Sequence, residues 1–473
     1  MSGNIQESAV RCSSGRIAPA PTARATLAPF FEQLSAIPPV RWQGRVTQVS
    51  GQVVESEGPV CAVGECCWLV NGEGRKQPGE IVGFRGATVL SVPLHGTSGV
   101  RHGDRVMTWG QRPSVQVANG WLGRVLDATG QPLDQLGHCV DRGLSDDSVS
   151  NPAISERPMR WDLDSPAPLP LERTAIRTPI GCGVRAIDTL LTCGRGQRLG
   201  IFGGSGVGKS TLIGMMARGT SADMTVLALV GERGREVREF LEDALGEEGR
   251  RRSIVIVSTS DQTPLLRVRA ALTATAAAEY FCAQGKHVLL VVDSLTRLAM
   301  AQREIGLAAG EPPTAKGYTP SVFSLMARVI ERAGQFERGS ITAFYSVLME
   351  GDDQQDPVVD GARSLLDGHI VLDRRLAARG HYPPISILDS LSRLMPAVTT
   401  PEHLKKASLL RQLLSSYTAS EDLLRLGAYT KGNDATLDRA VRALPQLNEF
   451  LQQDRRERAP LAENIQRLMA LAA

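Results

Sequence analysis

Three textures along the chain predict an α/β protein with a small N-terminal β-barrel, a central domain on a mostly parallel sheet, and a helical C-terminal domain. Between Gly44 and Pro113, short β-like runs alternate with Gly-rich turns. From residue 198 to 388, nearly continuous apolar, β-branched runs alternate with helical segments. After Pro396 the β signal stops and apolar residues recur at helical spacing. The length agrees, since 473 residues at about 150 per domain suggest three domains. The expected division is 1–40 as a flexible leader, 41–115 as the barrel, 116–395 as the central domain and 396–473 as the helical domain.

The leader mixes Ala, Pro, Ser and Arg around one apolar run, Leu27-Ala28-Pro29-Phe30-Phe31, and reads as disordered or as a stretch that docks a partner. MSGNIQESAVRCSSGR has no apolar core behind its charges, so no signal peptide is expected. No run of about 18 apolar residues predicts a membrane-spanning helix. Eight cysteines are too sparse for a disulfide scaffold, and the reading is a reducing cytoplasm. Cys61, Cys66 and Cys67 lack partners at ligand spacing and read as small apolar filler in a β segment.

In the barrel segment GRVTQVSGQVVES alternates around Val46, Val49 and Val53, followed by EIVGFRGATVLSVPL and HGDRVMTWG. Residues 119–175, with prolines at 152, 158, 166, 168 and 170, read as a linker and entry strap. The central strands are expected at 198–203, 225–231, 253–258, 288–293, 340–346, 369–373 and 384–388. Helices are expected at 209–218, 234–246, 264–284 and 320–334. Strands covered on both faces read as continuous apolar runs, so the sheet should be mostly parallel and doubly wound.

The strand RLGIFG runs straight into Gly203-Gly204-Ser205-Gly206-Val207-Gly208-Lys209-Ser210, with Thr211 following. This is G-x-x-x-x-G-K-[ST] in its required strand–loop–helix setting. Glycines let the backbone amides close around phosphate oxygens, and the next helix adds the positive end of its dipole. Lys209 would reach the β- and γ-phosphates of ATP, and the Ser210 hydroxyl would ligate Mg²⁺. Strand VLLVVD ends in Asp293, at the rim where a carboxylate can hold the same Mg²⁺ through water. Strand TVLALV leads to Gly231-Glu232-Arg233, which sets Glu232 where it can orient and polarise a water.

GGSGVGKST, GERGREVREF, VVDSLTRLAMAQREIGLAAGEPPTAKGYTPSVF and LLDGHIVLDRRLAARGHYPPISILDSLSRLM resemble the type III protein-export ATPases, relatives of the catalytic subunits of rotary ATP synthases. The resemblance covers about residues 44–440, and GGSGVGKSTLIGMMAR and AGEPPTAKGYTPSVF look more like the flagellar branch than the virulence branch. It implies a RecA-like P-loop ATPase domain, Glu232 as catalytic carboxylate and Arg233 organising the γ-phosphate end. It further implies Arg393, in SLSR, as a finger reaching the neighbouring subunit's site, and Tyr382, in GHYP, as the aromatic packed on adenine. The implied assembly is a homohexamer that engages, unfolds or releases export substrates and chaperones. Implied partners are a stator-like regulator on the N-terminal segment, a coiled-coil stalk and the export gate membrane proteins, at the inner face of the cytoplasmic membrane. One chain carrying the P-loop, Glu232, Asp293 and a finger could complete a site at every interface of a ring of identical copies.

The charge balance is nearly even, with 53 Lys+Arg, 50 Asp+Glu and a net charge of +3. A ring helicase should carry basic residues interleaved with aromatics in its barrel. Here the whole chain has 10 Phe, 5 Trp and 6 Tyr, and residues 41–113 hold 8 basic against 6 acidic side chains. No nucleic-acid partner is expected. A non-catalytic ring subunit should lack the carboxylate that Glu232 supplies, and a proton-driven synthase would need a second chain of similar fold.

Overall fold

The computed structural model describes residues 42–134, 136–137, 158–349 and 355–471. The leader expected to bind a regulator, 1–40, lies outside them. The chain starts with six strands: β1 (Trp42–Ser50), β2 (Val53–Glu57), β3 (Cys66–Val70), β4 (Lys76–Arg85), β5 (Thr88–Pro93) and β6 (Arg105–Thr108). They close in the order β1-β2-β5-β4-β3-β6, and β6 pairs back onto β1. Closure leaves no free strand edge. Alternate residues point inward, so Val46, Val54, Leu69, Ile81, Val89 and Val106 fill the lumen together with Cys67.

Two short strands, β7 (Ser114–Val117) and β8 (Val125–Asp127), follow the barrel, and β9 (Met159–Asp162) pairs with β7. The segment 119–175 is thus more than a linker. Its β8 adds to the edge of the central sheet, parallel to β14. A three-residue strand is too short for periodicity to reveal.

The central domain continues with β10 (Pro179–Ile180), α1 (Arg185–Leu190), β11 (Cys193–Gly194), β12 (Arg198–Gly203), α2 (Lys209–Gly219) and β13 (Met224–Glu232). Helix α3 (Gly234–Glu239) passes through a π-helical turn, Phe240–Leu245, into α4 (Gly246–Arg251). The single helix expected over 234–246 is therefore broken. After it come β14 (Ser253–Thr259), α5 (Pro264–Ala283), β15 (His287–Asp293), α6 (Leu295–Ala309) and α7 (Pro320–Glu331). Then follow β16 (Gly334–Gln335), β17 (Ser340–Leu348), α8 (Pro357–Leu365), β18 (Gly368–Leu372), α9 (Arg374–Ala378) and β19 (Ile385–Ser392).

The sheet order is β19-β18-β12-β17-β15-β13-β14-β8, with β16 on β17. Strands β18, β12, β17, β15, β13, β14 and β8 run parallel, whereas β19 is antiparallel to β18. The connection 373–384 contains only the short α9 and a turn, so the chain reverses instead of crossing back. Along β13, Val226, Ala228 and Val230 pack on one face with α5, while Leu227 and Leu229 pack on the other with α2. Burial on both faces explains the uninterrupted apolar run.

Helices α10 (Met395–Val398), α11 (Pro401–Arg425), α12 (Ala435–Leu451) and α13 (Leu461–Ala470) complete the chain. Leu410, Leu413, Leu447 and Phe450 join the core on the α2 face, so the helical region packs on the side that bears the P-loop helix.

One ion pair ties the barrel to the sheet domain. Arg269 on α5 donates to Glu80 on β4 at 3.0 Å, and both side chains are mostly buried. Arg269→Met would leave the Glu80 carboxylate without its cation and is expected to cost about 2 kcal/mol. The check is the first urea-unfolding transition, which should move to lower urea. Adding Glu80→Leu should return most of the loss.

Candidate functional site

Strand β12 delivers the chain at Gly203 to the carboxyl edge of the sheet, and α2 starts at Lys209. Between them Gly206 (φ +75°) and Gly208 (φ +103°) adopt the left-handed region, which side chains with a Cβ rarely enter. Gly203, Gly204 and Val207 are buried behind the loop, while Ser205, Ser210 and Thr211 are exposed at its mouth. The first-turn amides of α2 have no partner within the helix and carry the positive end of its dipole.

Lys209 is buried, with Nζ donating to the Gly203 carbonyl at 3.1 Å. Burial lowers its pKa to about 8, against the opposing pull of Asp293 and Glu232. Two strands away, β15 ends in Asp293, which pairs in register with Leu229 of β13. The Ser346 hydroxyl on β17 donates to Asp293 Oδ1. Ser294 then caps α6 by accepting from Arg297 N at 3.2 Å.

Strand β13 runs three residues past that register to Glu232. Gly231 (φ +68°) makes the last step, and the stem of Arg297 fills the space a Cβ there would need. Arg297 Nη1 meets Glu232 Oε2 at 2.8 Å and also donates to the Gly231 carbonyl. Burial pushes the Glu232 carboxyl up to about 7, helped by the charge of Asp293 and a hydrogen bond with Glu236, and opposed by Arg297. The same bond to Glu232 holds Glu236 below its ordinary value. Of this pair it is therefore Glu232 that takes up the proton as pH falls through about 7. Arg233 is exposed, 3.8 Å from Glu236.

Ser205, Gly206, Gly208, Lys209, Ser210, Thr211, Glu232, Arg233 and Asp293 thus line one cavity of about 500 Å³. Besides Gly203, Gly204 and Val207, buried behind the loop, two predicted residues stand outside it. Tyr382 is half exposed on the turn between α9 and β19, where its carbonyl accepts from Gln453 N at 2.9 Å. Pro384 of the same turn lies beside Gly208. Arg393 is exposed just after β19, and its backbone N donates to the Asp367 carbonyl at 3.0 Å. Ser392 pairs with Gly368, the first residue of β18, so Arg393 lies at the amino end of the parallel strands. The loop and the two strand-end carboxylates occupy the opposite end. Five residues of β18 separate the ends by roughly 16 Å.

Sequence reasoning missed Arg297, Glu236 and Ser346. Glu236 follows Glu232 by four residues and Arg297 follows Asp293 by four, but each pair spans a strand end and the start of the next helix, where no regular period marks it. Ser346 reaches Asp293 only through strand order, and no local pattern marks it. A larger cleft of about 760 Å³, lined by Trp161, Phe336, Glu279 and Arg332, holds none of the predicted site residues. Among the described residues no three His, Cys, Asp or Glu side chains are gathered as a metal cluster.

A phosphate loop and two strand-end carboxylates at the carboxyl edge of a parallel sheet define a P-loop nucleotide-binding protein. Residues 183–392 match the nucleotide-binding domain of the ATP synthase alpha/beta family, and 46–110 match that family's beta-barrel domain. Residues 399–470 match the T3SS EscN ATPase C-terminal domain. The chain is 50% identical over 430 residues to the flagellum-specific ATP synthase of Bacillus subtilis, covering 90% of this chain and 94% of that one. It is 46% identical over 424 residues to the type 3 secretion system ATPase of Sinorhizobium fredii, covering 89% and 90%. Among solved structures it is similar to the assembled ATPase EscN of the enteropathogenic E. coli type III secretion system. That match has a TM-score of 0.81 and 40% identity, over 91% of this chain and all of that one. The chain belongs to the family of flagellum-specific ATP synthases and type 3 secretion system ATPases, and it is an ATPase.

Proposed function

We propose that the chain is the ATP-hydrolysing motor of flagellar type III protein export, working as a homohexamer that engages, unfolds or releases substrates and chaperones at the export gate. The observation that carries this reading is the split between Lys209, Glu232 and Asp293 in one cavity and Arg393 at the other end of the sheet. An arginine so placed can serve a neighbour's site rather than its own, and such a head-to-tail contact either closes as a ring or continues as a helix. Likeness to the assembled EscN, and to EscN in complex with its central stalk EscO, supports self-association and a stalk partner, which in this reading is a coiled coil. A stator-like regulator on the N-terminal segment, and work at the cytoplasmic face of the membrane, belong to the same reading. Among the described residues no helix is long and apolar enough to cross a membrane. The flagellar arm is supported by the 50% identity to the Bacillus subtilis protein, and virulence secretion is the alternative.

In this reading Lys209 and the loop amides hold the β- and γ-phosphates. Glu232 orients the attacking water and takes its proton, and Arg297 holds the Glu232 carboxylate in place through its 2.8 Å contact. Arg233 stands at the γ-phosphate end of the cavity. Tyr382 packs on the adenine. Ser210 and Asp293 offer the oxygen donors that Mg²⁺ prefers, and Ser346 occupies one Asp293 oxygen while leaving the other open. Bound with ATP, Mg²⁺ would supply charge neutralisation on the phosphates.

The test is ATP hydrolysis per subunit against protein concentration. A rate rising steeply with concentration is expected, and a flat rate would remove the ring. The pH dependence follows from Glu232. Its carboxyl keeps a proton below about 7, so kcat/KM should be low in acid and climb as pH passes about 7. Glu236→Gln removes a bond that raises the Glu232 pKa, so its profile should shift toward acid.

A further inference from the structure

Helix α2 carries a glycine at its centre, Gly214 in Leu212-Ile213-Gly214-Met215-Met216, where alanine is the better helix former. Packing accounts for it. A Cβ on Gly214 would stand 2.7 Å from the Ala244 carbonyl carbon and 2.9 Å from the Ala244 Cβ, and it would overlap the Ala244 carbonyl oxygen. Side chains do not tolerate backbone that close, so α2 and the segment bearing Ala244 meet backbone to backbone.

That segment is the π turn Phe240–Leu245. Gly246 N closes it on the Leu241 carbonyl, a ring one residue wider than an α turn. Glu239, Phe240, Asp243 and Ala244 line the same cavity as Lys209 and Ser210. Toward its amino end the turn is continuous with α3, because Phe240 N donates to the Glu236 and Val237 carbonyls. Glu236 in turn shares a hydrogen bond with Glu232. Eight residues, roughly 12 Å of helix, lie between Ala244 and Glu236. The two packed elements are not equally fixed. In α2 every residue from Leu212 to Ala217 is buried. In α3 and the π turn only Val237, Phe240 and Leu245 are buried, while Arg238, Glu239, Glu242 and Asp243 are exposed. Added bulk at position 214 would therefore displace α3 and leave α2 in place.

We propose that Gly214 is a positioning residue for Glu232: the π turn rests on it, and that contact sets α3 at the spacing from which Glu236 can hold the Glu232 carboxyl. This rests on the P-loop cavity being the ATP site. The helix that grips the phosphates would then also place the group that acts on the water, through backbone contact at Gly214 and a rigid α3. A carboxyl that must meet a water beside the γ-phosphate loses rate when it is held a fraction of an ångström out of line. Nucleotide affinity, which the loop amides and Lys209 supply, does not depend on that spacing.

The experiment measures steady-state ATP hydrolysis by the unaltered chain, Gly214→Ala, Glu236→Gln and the double variant. Protein concentration is set where the rate per subunit has levelled, and equilibrium binding of trinitrophenyl-ATP is followed in parallel. Gly214→Ala and Glu236→Gln should each lower kcat about tenfold, with KM and binding within about twofold of the unaltered chain. Both act through one hydrogen bond, so Gly214→Ala should cost the Glu236→Gln chain less than about twofold more. Ala244→Val crowds the same contact from the other side and should repeat both results, which keeps the test open if Gly214→Ala does not fold. A full tenfold loss in both backgrounds overturns the proposal, as does an unchanged kcat in Gly214→Ala. So does weakened trinitrophenyl-ATP binding, which would place the disturbance in the P-loop helix itself. Hydrolysis that survives Lys209→Ala would instead overturn the ATP-site reading, a result distinct from the others.

Discussion

Arg393→Ala is expected to lower kcat by about 10³-fold with little change in nucleotide affinity. The residue stands at the amino end of the parallel strands, and its own chain's cavity opens at the carboxyl end. It therefore has no part in binding ATP within its own subunit. Its guanidinium is always charged and planar, and it is exposed at the end of an edge strand, where it can enter a neighbour's cavity. There it would neutralise charge that develops only in the transition state. The measurement is steady-state hydrolysis beside equilibrium binding of a fluorescent nucleotide. A matching loss in both would assign Arg393 to structure.

Glu232→Gln should be as severe, about 10³-fold in kcat, because an amide cannot take the proton from water. Burial, Asp293 and Glu236 raise the carboxyl to about 7, close to working pH, where a base is strong enough to accept a proton and is free of it in about half the sites. Binding should persist, since Lys209 and the loop amides are untouched. Mixing the two inactive variants is the more telling measurement. In a mixed assembly some interfaces join an intact Glu232 to an intact Arg393 from different copies, and activity should partly return. No recovery in the mixture would deny that the two residues act across an interface.

Much of this arrangement was legible in the sequence. The loop at 203–210 is a contiguous pattern whose geometry follows from its glycines, and Asp293 and Glu232 each end an apolar strand. Strand direction was harder, because alternation and apolarity read the same in both directions. Only the short 373–384 connection reveals that β19 reverses. β8 escapes because three residues carry no period, and the break within 234–246 escapes because Val237, Phe240, Leu241 and Leu245 still recur at three- and four-residue spacing. Contacts fixed by tertiary placement stayed hidden. Ser346 reaches Asp293 only because β17 lies beside β15, and Arg455 reaches the cavity only because α12 packs on the P-loop face.

Gly231 has a consequence for how mutational tolerance would map onto this protein. A Cβ there would stand 3.1 Å from Arg297 Cδ, on a backbone at φ +68° that costs other residues about 1–2 kcal/mol. Any substitution would press on the arginine that holds Glu232 and turn the last step of the strand. In a library of all single substitutions scored for growth, this position should be as intolerant as Glu232 itself, although it has no side chain to do chemistry. Intolerance at Gly231 would record the aim of its neighbour.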